Sequence, residues 1–191
     1  MPSFQKIVTR LALLLAMPLA QVHAQVAVQP APNDSVMQEM GRAFQKGDRR
    51  RLTELLPQAR GHVLEPWAAY WELRARLEEA SATEVDAYLA RYAGTYQEDR
   101  LRNDWLLLLG QRRDWAGVTL HMPKYRMADD RELRCYEHYV GWLNRRTHQG
   151  AADSNKEAVQ DVLKNWYSLR EADNSCSFVV QTWLGAKLIK P

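Results

Sequence analysis

Residues 81–94 read Ser81-Ala82-Thr83-Glu84-Val85-Asp86-Ala87-Tyr88-Leu89-Ala90-Arg91-Tyr92-Ala93-Gly94 and contain a complete helix signal. Ser81-x-x-Glu84 has the form of a capping box, in which the Ser hydroxyl and the Glu carboxylate each satisfy a backbone N–H of the first turn. Val85, Tyr88, Leu89 and Tyr92 follow at i, i+3, i+4 and i+7, one face of a helix. Gly94 stands where a helix is expected to stop. The same cap, stripe and stop recur on both sides. Downstream, Asp99 to Leu109 carries Leu101, Trp105, Leu108 and Leu109 inward, with Gly110 as its stop. Asp114 caps a helix with Trp115, Val118 and Leu120, which Pro123 breaks. Asp129 or Asp130 opens a longer helix with Leu133, Tyr136, Val140 and Leu143. After a loop around Gly150, the spacing predicts helices over about 155–169 and about 175–187. Upstream, Pro66 fits the first turn of a helix with Trp67, Tyr70, Trp71, Arg74 and Leu77 on one face. Asp48 caps a helix with Leu52, Leu55 and Leu56 that Pro57 kinks or ends, and Asp34 or Ser35 caps one with Met37, Met40 and Phe44 before Gly47.

No alternating apolar run bounded by turn residues occurs, and β-branched residues are sparse, so no strand is expected. Roughly nine helices of roughly 8–18 residues with short links give an all-α fold, an irregular α-superhelix or solenoid of antiparallel helix pairs over 34–191. Gly47-Asp48 before Leu52 and Arg113-Asp114-Trp115 before Val118 look like one turn-then-helix signal used twice. The chain ends Trp183-Leu-Gly-Ala-Lys-Leu-Ile-Lys-Pro191, apolar nearly to its last residue. That is a weak cap for a solenoid, and it gives the expectation of a domain incomplete at its C-terminal end.

Residues 1–24 read as a secretory signal peptide. Lys6 and Arg10 give the positive start, the apolar run centres on Leu11–Ala16, and Val22-His23-Ala24 places small residues at −3 and −1 of a cleavage site. The run is shorter than the roughly 20 residues needed to span a bilayer, and no Cys follows it for lipid attachment. Cleavage after Ala24 predicts an exported protein without stable membrane insertion, with residues 25–33 as a flexible, Pro-containing lead-in. It also removes two bases and no acid, so a formal charge of +3 on the whole chain becomes +1. A mature chain near neutrality has no global electrostatic reason to bind nucleic acid. At 46% apolar and 26% charged over the whole chain, with seven Trp and eight Tyr, the sequence is globular rather than disordered.

Export changes the reading of the two cysteines, Cys135 and Cys176. An even pair in an oxidising compartment predicts a disulfide, and a spacing of 41 does not suit CxxC redox chemistry. Chain entropy makes such a bridge worth about 4 kcal/mol. The remaining His62, His121, His138 and His148 show no HExxH spacing, so no metal ligand is assigned. His138, inside a long helix, reads as a half-buried packing residue. Glu78-Glu79 and Asp129-Asp130 fall at helix ends, where acids cap or face solvent. No GxSxG, P-loop or Rossmann glycine fingerprint is present, and no cofactor is expected. Arg49-Arg50-Arg51 is either a solvated face or part of a groove for sugar or phosphate. Trp67, Trp71, Trp105, Trp115 and Tyr70 either fill a core or stack on sugar rings. The candidate glycan contacts are therefore Trp67, Trp71, Arg49 and Arg50.

A series of phrases, in order, resembles the N-terminal superhelical domain of the periplasmic soluble lytic transglycosylases. They are Ala43-Phe44-Gln45-Lys46-Gly47-Asp48 with Leu52, Gly61-His62-Val63-Leu64-Glu65-Pro66-Trp67 leading into Tyr70-Trp71-Glu72-Leu73, and Val85-Asp-Ala-Tyr-Leu-Ala-Arg-Tyr92. Asp99-Arg-Leu-Arg-Asn-Asp-Trp105, Arg112-Arg-Asp-Trp115, Glu132-Leu-Arg-Cys-Tyr136 and the distal Cys176 complete it, from about residue 36 to 187. The resemblance implies a ring-like superhelix and gives the Cys135–Cys176 bridge a second support. It also implies a separate lysozyme-like domain that cuts the β-1,4 bond between N-acetylmuramic acid and N-acetylglucosamine of peptidoglycan and forms a 1,6-anhydro sugar. There a Glu within a Glu-Ser dipeptide acts as acid and then base. This chain contains no Glu-Ser dipeptide, so no catalytic residue carries over and the chain alone is expected to be inactive. Ser177-Phe178-Val179-Val180 also departs from the acidic-then-aromatic pattern expected after the second cysteine. The expectation is a helical scaffold that handles peptidoglycan glycan strands for a catalytic domain. The alternative is a stand-alone periplasmic helical-repeat adaptor that binds a protein partner.

Overall fold

The computed structural model describes residues 34–145, 152–168 and 173–189. The proposed signal peptide (1–24), the lead-in (25–33), Gly150 and His148 lie outside the described residues. Within them are nine α-helices and no strand: α1 (Asp34–Gln45), α2 (Arg49–Leu55), α3 (Glu65–Ala75), α4 (Ala82–Arg91), α5 (Tyr96–Gln111), α6 (Trp115–His121), α7 (Arg131–Arg145), α8 (Ala152–Ser168) and α9 (Cys176–Gly185). Local chemistry sets most of these bounds. The Ser81 hydroxyl accepts from Glu84 N at 3.2 Å, while Ser81 N donates to the Glu84 carboxylate at 3.2 Å, a complete capping box for α4. Asp48, Asp114 and Asp130 cap α2, α6 and α7, accepting from Arg51 N, Gly117 N and Leu133 N at 3.0, 2.9 and 3.1 Å. Pro57 and Pro123 sit in 3₁₀ turns, 56–59 and 122–124, that end α2 and α6.

Three local expectations are corrected. Helix α5 begins at Tyr96 with Thr95 as its cap, not at Asp99. Asp99 lies inside the helix, buried, and its carboxylate accepts from Arg126 N at 3.0 Å and Met127 N at 2.7 Å. Gly110 does not stop α5; the left-handed residue is Arg113, at φ 61°. Gly110 is small because the Tyr136 ring lies against it: a Cβ there would stand 2.1 Å from Tyr136 Cε2. Leu120 points outward, 60% exposed, rather than into the core.

Consecutive helices pack on one another, except that α3 and α4 meet only weakly. In addition α1 packs on α3, α3 on α5, α5 on α7 and α7 on α9, whereas no even-numbered helix packs comparably on the next even one among the described residues. The odd helices therefore form the closer-spaced layer, and the array curves with that layer inside. A smaller core gathers Met37, Met40, Leu52, Leu55 and Ala68, and a larger one runs from Tyr70 to Ile189. Phe44, Trp67 and Trp71 pack against both and join them. Each fully buried Leu, such as Leu52, Leu101 or Leu106, contributes about 2 kcal/mol. Cys135 of α7 is bonded to Cys176 at the start of α9, with both residues fully buried. Beside the bond, Ser175 Oγ donates to Glu132 Oε2 at 2.9 Å. Burial pushes the Glu132 carboxyl up despite that bond.

Helix α5 also presents a buried polar row to its neighbours. Glu98 pairs with Arg102 and, at 2.8 Å, with Arg126. Burial raises the Glu98 pKa, but the two arginines outweigh it and hold the carboxyl below its ordinary value. Asn103 Nδ2 donates to the α7 cap Asp130 at 2.9 Å, and Tyr70 of α3 donates to Asp104 at 2.8 Å. The phrase Asp99-Arg-Leu-Arg-Asn-Asp-Trp105 is thus a clasp that ties the 125–130 connection and helices α3 and α7 to α5.

Candidate functional site

The four residues singled out as glycan contacts fall in two places. Arg49 and Arg50 are exposed on α2, in the outer layer. Arg49 pairs with Glu79 at 2.5 Å and Arg50 with Glu54 at 3.5 Å. Trp67 and Trp71 are half-buried on α3, with ring centroids 6.0 Å apart. Among the described residues no hydrogen bond, ion pair or cation–π contact joins the two arginines to the two tryptophans.

Helix α3 has no single apolar stripe, because it works on two opposite sides. At 100° per residue, Trp67, Trp71 and Arg74 project within 60° of one another, and Glu65, Ala69, Glu72 and Arg76 project from the opposite side. The second set, with the 3₁₀ turn and α4, lines a groove of about 280 Å³ whose apolar floor includes Leu56, Leu73 and Tyr88. Most of its charged walls are paired. Arg76 reaches Glu72 at 2.7 Å and Glu84 at 2.9 Å, and Arg91 reaches Glu65 at 2.5 Å. Tyr92 OH donates to Glu65 at 2.9 Å and Gly61 N donates to it at 2.8 Å. The Gly61 N–H, helped by Tyr92 and Arg91, holds the Glu65 carboxyl low. The Ser81 N–H and Arg76 do the same for Glu84. Carboxylates kept ionised and paired in this way bind and position; they do not serve as proton donors near neutral pH. The sequence reading missed this groove, although Glu72 and Arg76 stand at the i, i+4 spacing of a helix pair.

The first set of α3 belongs to a row of rings. Phe44 of α1 lies 6.2 Å from Trp71, Trp71 6.0 Å from Trp67, and Trp67 5.8 Å from Tyr96 of α5. Tyr96 is 54% exposed and the other three are half-buried. Below them Tyr70 OH donates to Asp104, which also takes Arg74 Nε at 3.1 Å. Burial, reinforced by Asp104, pushes the Tyr70 hydroxyl up to about 12. Trp105 and Trp115 pack in the larger core. His138 is half-buried and meets Asp161 at 2.8 Å. No group of three His, Cys, Asp or Glu side chains that could hold a metal ion occurs among the described residues. Nor is any described helix long and apolar enough to cross a membrane.

A curved, all-α array of stacked helices is the class of protein these features define. Its architecture is that of the superhelix of the soluble lytic transglycosylases. The 70-kDa soluble lytic transglycosylase of Escherichia coli matches over 82% of this chain, with a TM-score of 0.57 and 19% identity. A 70-kDa soluble lytic transglycosylase in complex with bulgecin A matches over 83%, at 0.59 and 18%. An inactive mutant of lytic transglycosylase Slt from Pseudomonas aeruginosa matches over 85%, at 0.57 and 23%. The chain spans 24% of the length of each of these proteins. No family model and no curated protein sequence matches the chain.

Proposed function

We propose that this chain is an exported helical scaffold of a soluble lytic transglycosylase, one that holds peptidoglycan glycan strands for a catalytic domain. That domain cleaves the β-1,4 bond between N-acetylmuramic acid and N-acetylglucosamine and forms the 1,6-anhydro product. The observation that carries the reading is the agreement of fold with three lytic transglycosylase structures over more than four-fifths of this chain. The ordered phrases from Phe44 to Cys176 support it, because they fall on the turns, clasp and disulfide that build this architecture.

The test is a purified, exported chain mixed with peptidoglycan sacculi. The chain is expected to co-sediment with sacculi and to release no anhydro-muropeptides. Release of such products by this polypeptide would overturn the scaffold role, and failure to co-sediment would overturn the role in glycan holding. A partner protein recovered with the chain in the absence of any sacculus binding would favour the adaptor alternative.

A further inference from the structure

The geometry points to a stacking track for an extended strand of β-linked amino sugars on the inner faces of α1, α3 and α5. In this track Phe44, Trp71, Trp67 and Tyr96 receive the apolar faces of successive sugars, and Arg74 and Arg100 receive the carboxylates the strand carries. The inference rests on the glycan-holding reading and adds its location, its residues and the chemistry of the ligand.

Three observations carry it. The four rings form a continuous row, each step near 6 Å, that crosses three adjacent helices of the inner layer. That step is close to the length of one pyranose in an extended β-1,4 strand, so successive sugars meet successive rings. The rings are also fixed before any ligand arrives. Phe44, Trp67 and Trp71 are held between the two cores, Trp67 meets Tyr70 edge-on at 5.7 Å, and a Cβ on Gly41 would touch the Trp71 ring at 3.6 Å. A rigid, half-exposed ring loses little entropy when a partner stacks on it. Finally, the flanking charge is cationic and positioned. Arg74 is anchored through Nε to buried Asp104 at 3.1 Å with nearly half its side chain in solvent. Arg100 donates to Asn103 Oδ1 at 3.4 Å and lies close enough to Tyr96 and Tyr70 to feel both. Guanidinium groups held in this way suit the carboxylates of acidic sugar substituents.

The test uses the full chain after export, with glycan strands freed of peptide by amidase as the soluble ligand and Trp fluorescence as the readout. Tyr96→Ala and Arg100→Gln are compared with Tyr167→Ala, which removes a ring that is 75% exposed on α8, away from the track. Wild type and Tyr167→Ala are expected to bind equally, with quenching of Trp emission. Tyr96→Ala and Arg100→Gln are each expected to bind roughly three- to tenfold more weakly, at unchanged melting midpoints. Equal binding by all four proteins overturns the track and leaves the scaffold role standing. Binding to intact sacculi but not to peptide-free strands also overturns it, because the ligand would then be the peptide. Failure of the wild type to bind either material removes the track and the glycan-holding role together.

Discussion

The turn from α1 to α2 and the turn from α5 to α6 repeat the same hydrogen bonds 66 positions apart. Gly47 N donates to Phe44 O at 3.1 Å and Asp48 N to Ala43 O at 2.9 Å; Arg113 N donates to Gly110 O at 3.1 Å and Asp114 N to Leu109 O at 2.9 Å. Both are left-handed helix ends, at φ 67° and 61°. Each passes straight into an Asp cap, a seven-residue helix and a Pro-containing 3₁₀ turn. The side chains differ where something lies over the second turn and nothing lies over the first. A Cβ on Gly47 would meet no atom within 4 Å. Over the second turn α7 and α9 close in, so Phe44 gives way to Gly110 beneath the Tyr136 ring and Gly47 gives way to Arg113. The Arg113 guanidinium carbon sits 3.4 Å from the centre of the Phe178 ring. The pattern of a helical hairpin is therefore set by its turn, and its composition by its place in the stack.

The largest expected effect is confined to the second half. Only there does a covalent link, Cys135–Cys176, secure the helices that cover the turn. Its reduction, or Cys135→Ser with Cys176→Ser, is expected to lower stability by about 4 kcal/mol, read as a fall in the denaturant midpoint. An unchanged midpoint would show that α7 and α9 hold their places by packing alone. Next is Gly110→Ala, expected to cost about 3 kcal/mol because Tyr136 occupies the space of the new methyl group. Gly47→Ala should cost only about 1 kcal/mol, the strain of a Cβ at positive φ, since nothing crowds it. Equal losses at the two glycines would dissolve the distinction between a covered and an open turn. The caps should behave alike: Asp48→Ala and Asp114→Ala are each expected to cost about 1 kcal/mol by thermal melting. A large inequality between them would mean that the two turns share geometry but not energetics.

These contrasts also mark what the sequence could and could not reveal. The caps at Asp48, Ser81 and Asp114 and the prolines at 57 and 123 are local signals, and each falls where the structure has its element; the apolar stripes hold less evenly, since Leu120 leaves its stripe for the surface and α3 works on two sides. Gly110 reads locally as a stop because a glycine carries no record of the ring that will lie against it. Asp99 reads locally as a cap because its acceptors' partners, Arg126 N and Met127 N, are 27 and 28 residues away. The candidate surface divides in the same way. Trp67 and Trp71 are visible as a pair on one helix face, but their continuation through Phe44 and Tyr96 depends on how α1 and α5 pack on α3. Arg49 and Arg50 stand out as a run of charge, yet α2 turns them to the outer layer and into surface ion pairs of little energetic weight.

A smaller difference between the hairpins is chemical. Where α2 ends in the buried Leu55, α6 ends in the buried His121, beside Arg102 at 3.3 Å and Asp86 at 3.7 Å. Burial lowers the His121 pKa below 6.5; Asp86 opposes this and Arg102 adds to it. The unfolded chain therefore binds a proton more readily than the folded one. The contribution to stability is complete above pH 6.5 and is lost as the pH falls from there through the folded pKa. The loss of stability from pH 7.5 to pH 5.5 is expected to be steeper in the wild type than in His121→Leu, which gives the second hairpin the apolar end of the first. Parallel stability curves for the two proteins would place the acid sensitivity elsewhere.

The smallest expected effect tests why an arginine occupies a left-handed position at all. At Arg113 the backbone strain of a non-glycine residue costs about 1 kcal/mol. The stacking of its guanidinium on Phe178, with Trp115 5.7 Å away, returns about the same amount. Arg113→Gly removes both terms, so the midpoint should move by less than about 0.5 kcal/mol. In a Phe178→Leu background only the strain remains to be relieved, and Arg113→Gly should then stabilise by about 1 kcal/mol. This double-mutant cycle isolates the ring–cation contact from the turn. A null coupling between positions 113 and 178 would mean that Arg113 is tolerated by its turn rather than held there by α9.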